Sequence, residues 1–543
     1  MPQIRDATSS GMSRLWIWLG CAGAAGAALE AGWRAVVLAV AVSLGGCAAL
    51  PTQVARPPSL ALTDVADTSL ARAAAASMSA ARPGESGFRL LPGGREAFEA
   101  RTALIRRAER SIDVQYYLVA SDDTGLAFLR ELRDAGRRGV RVHVLIDDLY
   151  ATGQDALLAA LAANPNVEVR LFNPLPARSG GMTRRVALSL HEFSRINRRM
   201  HNKLLIADGS FAVTGGRNIA DEYFDRSEKA NFIDMDVLSA GPVVGEMAAL
   251  FDRFWNADAA YPVASLARPA AVAAAFDAHA APAAASDDPD RSGGRTLDAE
   301  LAAGGVDLVT AAVELLADAP SKSDAAAPPS PTVADAHLDL VRSARSSVQL
   351  ASPYFIPGAK GMKALAEVRA RDVEVSVLTN SLATTDEPLV HLGYARYRTA
   401  LLNAGVSLHE LIGGVAPPGS HSVLGAGSGR GGSFGRLHSK LTVVDGERLF
   451  VGSLNIDPRS ALFNTESGLV IHSAELCAEA SRFLDSGRRE GSYRVQLSGP
   501  ERRLRWHAAA GEAYRELAAE PAVESRGGVG LRVLARLVDE AML

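Results

Sequence analysis

This chain has few cysteines and no net positive charge. Its 543 residues include only three cysteines, Cys21, Cys47 and Cys477. Three cysteines cannot form a disulfide framework, and none of these has the spacing of a metal-binding motif. Lysine and arginine (57) do not outnumber aspartate and glutamate (61), and the formal net charge is −4. The composition therefore gives no overall basic field that would attract nucleic acid.

A long, uninterrupted apolar run is also missing. A membrane-spanning helix needs roughly 20 consecutive apolar residues, and Glu30 and Arg34 interrupt the most apolar region, residues 13–50. A basic flank at Arg34, the apolar run 35–42 and small residues before Cys47 are instead typical of a secretory signal. The sequence thus favours an exported protein.

The end of this signal resembles a bacterial lipobox, in which the cysteine is lipidated and becomes the mature N-terminus. Residues 44–47 read Leu-Gly-Gly-Cys, and we predict that residues 1–47 are a signal peptide with Cys47 as the lipidation site. Ala48, directly after the cysteine, favours the periplasmic face of a bacterial outer membrane. An uncleaved membrane anchor over residues 13–50 and a misassigned start codon are the alternatives.

One pattern, His-x-Lys-x-x-x-x-Asp followed by Gly-x-x-Asn, occurs twice in the chain. Counted from the histidine, the lysine, aspartate, glycine and asparagine stand at +2, +7, +14 and +17 in both copies. The copies are His201, Lys203, Asp208, Gly215 and Asn218, and then His438, Lys440, Asp445, Gly452 and Asn455. Such identical spacing indicates a shared role.

The duplication extends well beyond the motif. The two histidines are 438 − 201 = 237 residues apart, and the strand-like segments that begin at Ser111 and Ser347 are 236 apart. A nearly constant offset over some hundred residues indicates a duplicated domain. Both copies alternate apolar strands with helices, as βαβ units do. We therefore predict an α/β fold of two tandem repeats, each a mixed, largely parallel sheet flanked by helices, with the active site at the interface of the two halves.

The segments around the repeats differ in composition. Stretches rich in Ala, Pro and Ser are typical of linkers, and Leu301 to Leu316 has a pattern that suggests helical pieces within one of them. The predicted divisions are a signal peptide (1–47), a tether (48–87), domain 1 (88–261), an inter-domain linker (262–335), domain 2 (336–497) and a helical C-terminal segment (498–543).

The motif residues suit metal-free phosphodiester chemistry. Side chains alternate along a strand, so His201 and Lys203 share one face, as do His438 and Lys440. Lysine and asparagine can donate hydrogen bonds to phosphate oxygens as charge develops. One imidazole can attack phosphorus to form a phosphohistidine while the opposite one protonates the departing alkoxide. No metal or cofactor is needed for this scheme.

Each such imidazole needs a partner that fixes its Nδ1 proton. Asp234 and Glu466 lie on similar strands of the two repeats and are our candidates for that role. Asp208 and Asp445 precede glycines, where aspartate commonly forms turns, so we expect a structural role for them. Structural positions are also expected for Gly215, Gly216, Gly452 and Ser453.

These residues resemble the HKD motif of the phospholipase D superfamily, over residues 90–495. Finer features resemble the bacterial cardiolipin synthases of the C type and their lipoprotein-like relatives. They are the segments 197–203, 215–219, 251–256, 352–358 and 452–460. The resemblance implies that His201 is the nucleophile and His438 the acid/base. The first copy departs from the common pattern at Gly216, where the second copy has Ser453, so the half-sites are not expected to be equivalent.

The resemblance implies a membrane-associated phosphatidyltransferase that makes cardiolipin from phosphatidylglycerol and a second phospholipid. Hydrolysis by the same residues is the alternative, a nuclease is a weaker one, and nucleic acid is not an expected partner. A non-catalytic binding protein disagrees with the intact motifs. A monomer is expected, since one chain carries both half-sites. The five arginines before the first motif suit either anionic lipid or a solvated cover over the site; they are Arg184, Arg185, Arg195, Arg198 and Arg199.

Overall fold

A computed structural model of the chain describes residues 49–266, 296–328, 330–413, 434–510, 513–521 and 540. The expected signal peptide and its lipobox cysteine, Cys47, lie outside the described residues. The chain divides into two compact units. One comprises Pro51–Pro174 and Ser194–Leu543, and the other contains Leu175–Phe193. Both motif copies belong to the former.

The first half of the larger unit begins with a helix and continues as alternating strands and helices. Its strands are β1 (Ser86–Leu91), β2 (Ser111–Tyr116), β3 (Arg141–Asp147), β4 (Val167–Phe172), β5 (Leu204–Ala207), β6 (Phe211–Gly215), β7 (Ala230–Ile233), β8 (Asp236–Ala240) and β9 (Ala260–Pro262). Its helices are Ser69–Ser77, Gly94–Arg107, Asp123–Arg137, Asp155–Ala162, Pro242–Trp255 and Val263–Leu266. The short helix Phe193–Ile196 and the 3-10 turn Asp221–Tyr223 complete this part. The helix Met182–Leu188 and the 3-10 turn Leu190–Glu192 belong to the smaller unit.

The second half repeats this order. Its strands are β10 (Val309–Ala317), β11 (Ser347–Ala351), β12 (Glu374–Asn380), β13 (Ser407–Leu411), β14 (Phe434–Leu437), β15 (Leu441–Val444), β16 (Arg448–Gly452), β17 (Ser467–His472), β18 (Ser492–Ser498), β19 (Arg503–Ala510) and β20 (Ala513–Leu517). Its helices are Leu297–Ala302, Val333–Arg342, Gly358–Arg369, Pro388–Ala395, Arg398–Asn403, Pro458–Leu462 and Ala474–Glu490, with a 3-10 turn at Pro320–Ser323.

The sheet is mixed, and its parallel part is small. In the first half β2, β3 and β4 are parallel, and in the second β11, β12 and β13 are parallel. Helical crossovers join these strands, as parallel pairing requires. The other strands pair antiparallel, in the order β2-β5-β6-β8-β1 and β11-β15-β16-β17. Tight turns join β5 to β6 and β15 to β16. The predicted α/β class is confirmed, with less parallel pairing than we expected.

The expected linker carries a strand that joins the two halves. Val309, Thr310 and Ala311 of β10 pair with β1, and the rest of β10 pairs with β17. Our expectation of helical pieces around Leu301 to Leu316 is therefore wrong for β10. Its Ala and Leu residues favour a helix, and pairing with β1 and β17 overrides that local preference.

The two flanking segments also differ from expectation. Within the segment predicted as a tether, the helix Ser69–Ser77 buries Leu70 and Ala73 against the first half. Within the segment predicted as helical (498–543), β19 and β20 extend the second sheet antiparallel from β18. In β19, alternating residues such as Leu504 and Trp506 pack on the core. This alternation is the pattern of a strand and not of the predicted helix.

A central apolar cluster is shared by the two halves. It includes Phe251 and Trp255 of the helix Pro242–Trp255 together with Leu441 and Val451 of the second half. Cys477 lies in the same cluster, on the helix Ala474–Glu490, and is buried. The shared core holds the halves as one body in the larger unit. Across the described residues, no helix has both the length and the apolar character needed to cross a bilayer.

Candidate active site

Each motif histidine is anchored by the backbone of the other half. The His201 amide donates to Thr465 O at 3.0 Å, and the His438 amide donates to Ile233 O at 2.8 Å. The prediction that His201 lies on a strand is wrong, because β5 begins only at Leu204 and His201 lies just before it. These reciprocal contacts bring the two motif copies into one site.

The two orienting carboxylates are exchanged between the halves. Nδ1 of His201 lies 2.9 Å from Oε2 of Glu466, and Nδ1 of His438 lies 2.6 Å from Oδ2 of Asp234. Both carboxylates are completely buried. A carboxylate at Nδ1 holds the proton there and leaves Nε2 with its lone pair. Each histidine is therefore oriented by a residue of the opposite repeat.

The difference between Ser453 and Gly216 follows from these carboxylates. Oγ of Ser453 donates to Oε2 of Glu466 at 2.5 Å. At the equivalent place a Cβ on Gly216 would lie 2.3 Å from Oδ1 of Asp234, far inside van der Waals contact. The shorter carboxylate occupies the space that the serine fills in the other half-site. Glycine is thus a steric requirement there, and the missing hydroxyl reflects an asymmetric pair of half-sites.

The lysines are buried beside their own histidines. Nζ of Lys203 donates to His201 O at 2.6 Å, and Nζ of Lys440 donates to His438 O. Burial lowers the pKa of both ammonium groups, to about 8 for Lys440. The charges act across the halves, since Asp234 of the first half raises the pKa of Lys440. One continuous electrostatic environment therefore includes both motifs.

Both histidines are held neutral. Burial lowers the pKa of His201 and of His438 to about 4, although the partner carboxylate of each acts in the opposite direction. Burial alone would raise the pKa of the carboxylates, but His438 and Lys440 lower that of Asp234 to about 2, and His201 likewise lowers that of Glu466. At neutral pH the site has neutral imidazoles and ionised carboxylates, so each Nε2 is available as a base or nucleophile.

The motif asparagines provide further polar groups. Nδ2 of Asn218 donates to the hydroxyl of Tyr223 at 2.9 Å. The Oδ1 atoms of Asn218 and Asn455 are buried, and neither pairs with any group among the described residues. A buried polar atom without a partner costs free energy, on the order of 1–3 kcal/mol. Each amide can recover this loss by bonding a substrate.

The motif aspartates and glycines have structural contacts. Asp208 accepts the backbone amides of Glu109, Arg110 and Ser111 at 2.8–2.9 Å. Asp445 makes the equivalent contacts with residues 345–347. These contacts fix the turn that precedes β2 and β11. Added side-chain atoms at Gly215 and Gly452 would collide with neighbouring strands at 2.2 Å and 2.3 Å.

The sequence analysis missed two residues that position the motifs. Oδ2 of Asp147 accepts the amide of Met200 at 2.9 Å, and Oδ1 of Asn380 accepts the amide of Leu437 at 2.9 Å. Both acceptors end equivalent strands, β3 and β12, and both donors directly precede a motif histidine. The repeat offset of 233 between them could have revealed the pair.

Aromatic rings complete the walls around the imidazoles. Tyr117 lies edge-on to His201, with ring centroids 4.9 Å apart. Tyr223 and Phe232 contact His438 at 5.1 Å and 4.9 Å. These rings limit rotation of the imidazoles and exclude water, which strengthens the electrostatic interactions of the site. Sequence spacing could not have indicated them.

The arginines before the first motif are mostly engaged inside the protein. Arg199 is fully buried and pairs with Asp147, and Arg185 is also buried. Arg195 donates to Pro174 O, and Arg198 donates to Lys322 O. The exposed member of the set is Arg184. This arrangement disagrees with a lipid-binding patch made of all five residues, and also with a cover whose charges are all solvated.

A cluster suited to a metal ion is not found in the described ranges, where no group of three or more His, Cys, Asp or Glu could hold one. The acids near the histidines contact Nδ1 atoms and hydroxyls. The imidazoles, ammonium groups and amides are the groups of this site that suit phosphodiester chemistry. They can bind a single phosphodiester and exchange protons with it.

A family comparison agrees with this site. The family model described as cardiolipin synthase, PLD-like domain, matches residues 102–255 and 338–486, which are more than half of the chain and contain both motif copies. The chain belongs to this family. Membership identifies it as an enzyme of the phosphatidyltransferase and phosphodiesterase type. The predicted resemblance is confirmed.

The alignments with individual relatives span most of this chain. Cardiolipin synthase C of Escherichia coli is 36% identical over 423 residues, 76% of this chain and 87% of that protein. A cardiolipin synthase of Staphylococcus aureus is 24% identical over 406 residues, 74% of this chain and 67% of that protein. The crystal structure of phosphatidylserine synthase from Haemophilus influenzae aligns with a TM-score of 0.54 and 14% identity, over 84% of this chain and 95% of that one. The last likeness shows the phospholipase D-like fold.

Proposed function

We propose that this enzyme transfers a phosphatidyl group from one phospholipid to a hydroxyl of phosphatidylglycerol, which yields cardiolipin. The crossed pairing of His201 with Glu466 and His438 with Asp234 is the observation that carries the proposal. It makes one site with two oriented imidazoles, as a double displacement at phosphorus needs. The 36% identity to cardiolipin synthase C supports the choice of lipid chemistry.

In the first step, Nε2 of His201 attacks phosphorus. The bond from phosphorus to the headgroup oxygen breaks, and His438 gives that oxygen a proton. The anionic phosphodiester raises the pKa of the nearby His438 when it binds, which allows this imidazole to carry the proton. The products of the step are a free headgroup alcohol and a phosphatidyl group on His201.

In the second step, the hydroxyl of phosphatidylglycerol gives its proton to His438 and attacks phosphorus. The phosphorus–nitrogen bond to His201 breaks, and the imidazole is restored. Lys203 and Lys440 stabilise the negative charge that develops on the non-bridging oxygens, and the amides of Asn218 and Asn455 can bond the same substrate.

Water in place of the lipid alcohol would give phosphatidic acid. His201 is only 7% exposed and His438 only 5% exposed, and aromatic rings adjoin both. Limited access of water favours transfer over hydrolysis, because the phosphohistidine must last until a lipid hydroxyl arrives.

The experiment uses the purified protein with phosphatidylglycerol, alone and mixed with a second phospholipid, and separates the lipid products by mass spectrometry. We expect cardiolipin from the wild type and none from a His201→Ala variant. Phosphatidic acid alone would replace the proposal with a hydrolase. No lipid product with either mixture, together with cleavage of DNA, would replace it with a nuclease.

We further propose that the protein works at a membrane surface, as a monomer anchored through a lipid on Cys47. The smaller unit exposes Leu190 and Phe193, by 54% and 46%, which supports contact with lipid because amphipathic segments insert such side chains. Labelling with a radioactive fatty acid tests the anchor, and we expect it to disappear in Cys47→Ser. Sedimentation of the detergent-solubilised protein tests the monomer.

A further inference from the structure

The site contains a third carboxylate that the histidines do not use. Asp386 follows a buried turn at the end of β12, where the amides of Thr384 and Thr385 donate to Ser381 O. Its Oδ2 accepts a hydrogen bond from the hydroxyl of Tyr354 at 2.8 Å. Its Oδ1 is buried and has no hydrogen-bond partner in the described part of the chain. One oxygen is thus fixed while the other is available.

Backbone pairing places this carboxylate beside the second motif. Phe355 forms a parallel bridge with Ile456, and the Ile456 amide donates to Oγ of Ser352. Tyr354 therefore lies next to Asn455, and the bond from its hydroxyl brings Asp386 to the same edge. The charge of Asp386 also raises the pKa of His438. Asp386 is consequently on the acid/base side of the site.

The first half-site has no counterpart. Gly153 stands 233 residues before Asp386, at the offset that relates β3 to β12. A fixed negative charge near an anion-binding site opposes the binding of the phosphodiester itself. Its position must therefore serve a group other than phosphate, and that group must donate a hydrogen bond.

We propose that Asp386, held by Tyr354, is a specificity-determining residue that accepts a hydrogen bond from the second hydroxyl of a vicinal diol, while the first hydroxyl attacks phosphorus. This inference rests on the proposed transferase function, in which His438 deprotonates the attacking hydroxyl. The glycerol headgroup of phosphatidylglycerol presents such a diol. A simple alcohol has no second hydroxyl and gains nothing from Asp386.

The test is a partition experiment with soluble acceptors. The purified enzyme cleaves a phospholipid in the presence of equal concentrations of glycerol and 1-propanol, and the phosphatidyl products and phosphatidic acid are quantified together. All acceptors compete for one intermediate, so their product ratios do not depend on the amount of active enzyme. We expect Asp386→Asn to lower the glycerol-to-propanol ratio about tenfold, since hydrogen bonds to charged groups are the stronger ones, and to leave the propanol-to-water ratio unchanged.

Two further variants keep the test decisive. Tyr354→Phe keeps the Asp386 carboxylate but removes the hydrogen bond that holds it. We expect this variant to lower the glycerol-to-propanol ratio too, by a smaller factor than Asp386→Asn. Glu387→Gln alters the adjacent, exposed carboxylate and should leave the ratios at wild-type values. An unchanged glycerol-to-propanol ratio in both Asp386→Asn and Tyr354→Phe would overturn the proposal. A parallel reaction adds ethanolamine as a third soluble acceptor. If Asp386→Asn changes only the yield of the ethanolamine product, the proposal is also overturned, because Asp386 would then bind a cation.

Failure of the inference and failure of the proposed function give different results. A wild-type enzyme that forms phosphatidic acid but no product with either alcohol contradicts the transferase itself. A wild-type enzyme that transfers to both alcohols, with ratios that Asp386→Asn and Tyr354→Phe leave unchanged, contradicts the role of Asp386 alone.

Discussion

Nδ1 of His201 and Oε2 of Glu466 lie 2.9 Å apart, although 265 residues separate them in the chain. His438 and Asp234 form the equivalent pair with the two halves exchanged, and 204 residues separate these partners. Each repeat therefore supplies the histidine of one half-site and the carboxylate of the other. Neither repeat by itself contains an oriented imidazole.

This exchange predicts different defects for Glu466→Gln and Asp234→Asn. Each variant should lower kcat on natural lipids by roughly 10²- to 10⁴-fold, because the histidine loses the partner that fixes its tautomer. A p-nitrophenyl phosphodiester, whose leaving group needs no proton, should restore the first step in Asp234→Asn and not in Glu466→Gln. Burst kinetics of nitrophenol release measure that step.

The matched comparison is the same substrate with His438→Ala and His201→Ala. The former should behave like Asp234→Asn and the latter like Glu466→Gln. Rescue of Glu466→Gln instead would show that the roles of the two histidines are reversed.

The asymmetry between Gly216 and Ser453 leads to a second prediction. Gly216→Ser should lower the melting temperature and abolish activity, because its Cβ would lie 2.3 Å from Asp234. Ser453→Gly should fold and lose about 10-fold in kcat, since one hydrogen bond to a charged group disappears. Thermal melting and initial rates measure both effects. A stable, active Gly216→Ser variant would contradict the steric explanation.

The lowered pKa of the two histidines predicts a loss of stability in acid. Unfolded histidine binds a proton below about pH 6.5, whereas His201 and His438 do so only below about pH 4. The unfolded state thus binds more protons between these values, and the free energy of unfolding falls as pH drops through this window, by about 2 kcal/mol per histidine at pH 5.

Urea denaturation at pH 7 and pH 5 measures this effect, with His438→Gln as the comparison. The variant should lose less stability than the wild type between the two pH values. The buried carboxyl of Asp457, whose pKa burial raises to about 7, acts in the opposite direction in both proteins and cancels. Equal losses would show that His438 is not held neutral by burial.

Chelation provides a fourth test. We predict that EDTA and dialysis leave transferase activity within about twofold of the untreated enzyme, because Lys203 and Lys440 can supply the positive charge that a metal would otherwise provide. Inactivation by EDTA that Mg²⁺ or Ca²⁺ reverses would contradict a metal-free site.

The repeat made much of the fold and site predictable. Identical offsets from His201 and His438 fixed both motif copies, and the βαβ order fixed the fold class. The exchange of Asp234 and Glu466 was not predictable, because spacing along the chain does not tell which half a carboxylate faces. The sequence shows that Gly216 stands where the second copy has Ser453, but only the proximity of Asp234 explains this difference.

Other features depend on tertiary pairing. The segment Val309–Ala317 looked like part of a linker, and it becomes a strand because β1 and β17 each offer it an edge. Asp147 and Asn380 hold the motifs from the ends of equivalent strands. Their roles could have been inferred only by extending the repeat alignment past the apolar residues, to the polar residue at which each strand stops.

The most direct test of the mechanism is the mass of the trapped enzyme. His438→Ala is mixed with a p-nitrophenyl phosphodiester, quenched and digested, and the peptide that contains residue 201 is weighed. We predict a phosphoryl adduct on His201, which hydrolyses slowly because the base for the second step is missing. The absence of an adduct, or an adduct on His438 when His201→Ala is treated in the same way, would contradict the account.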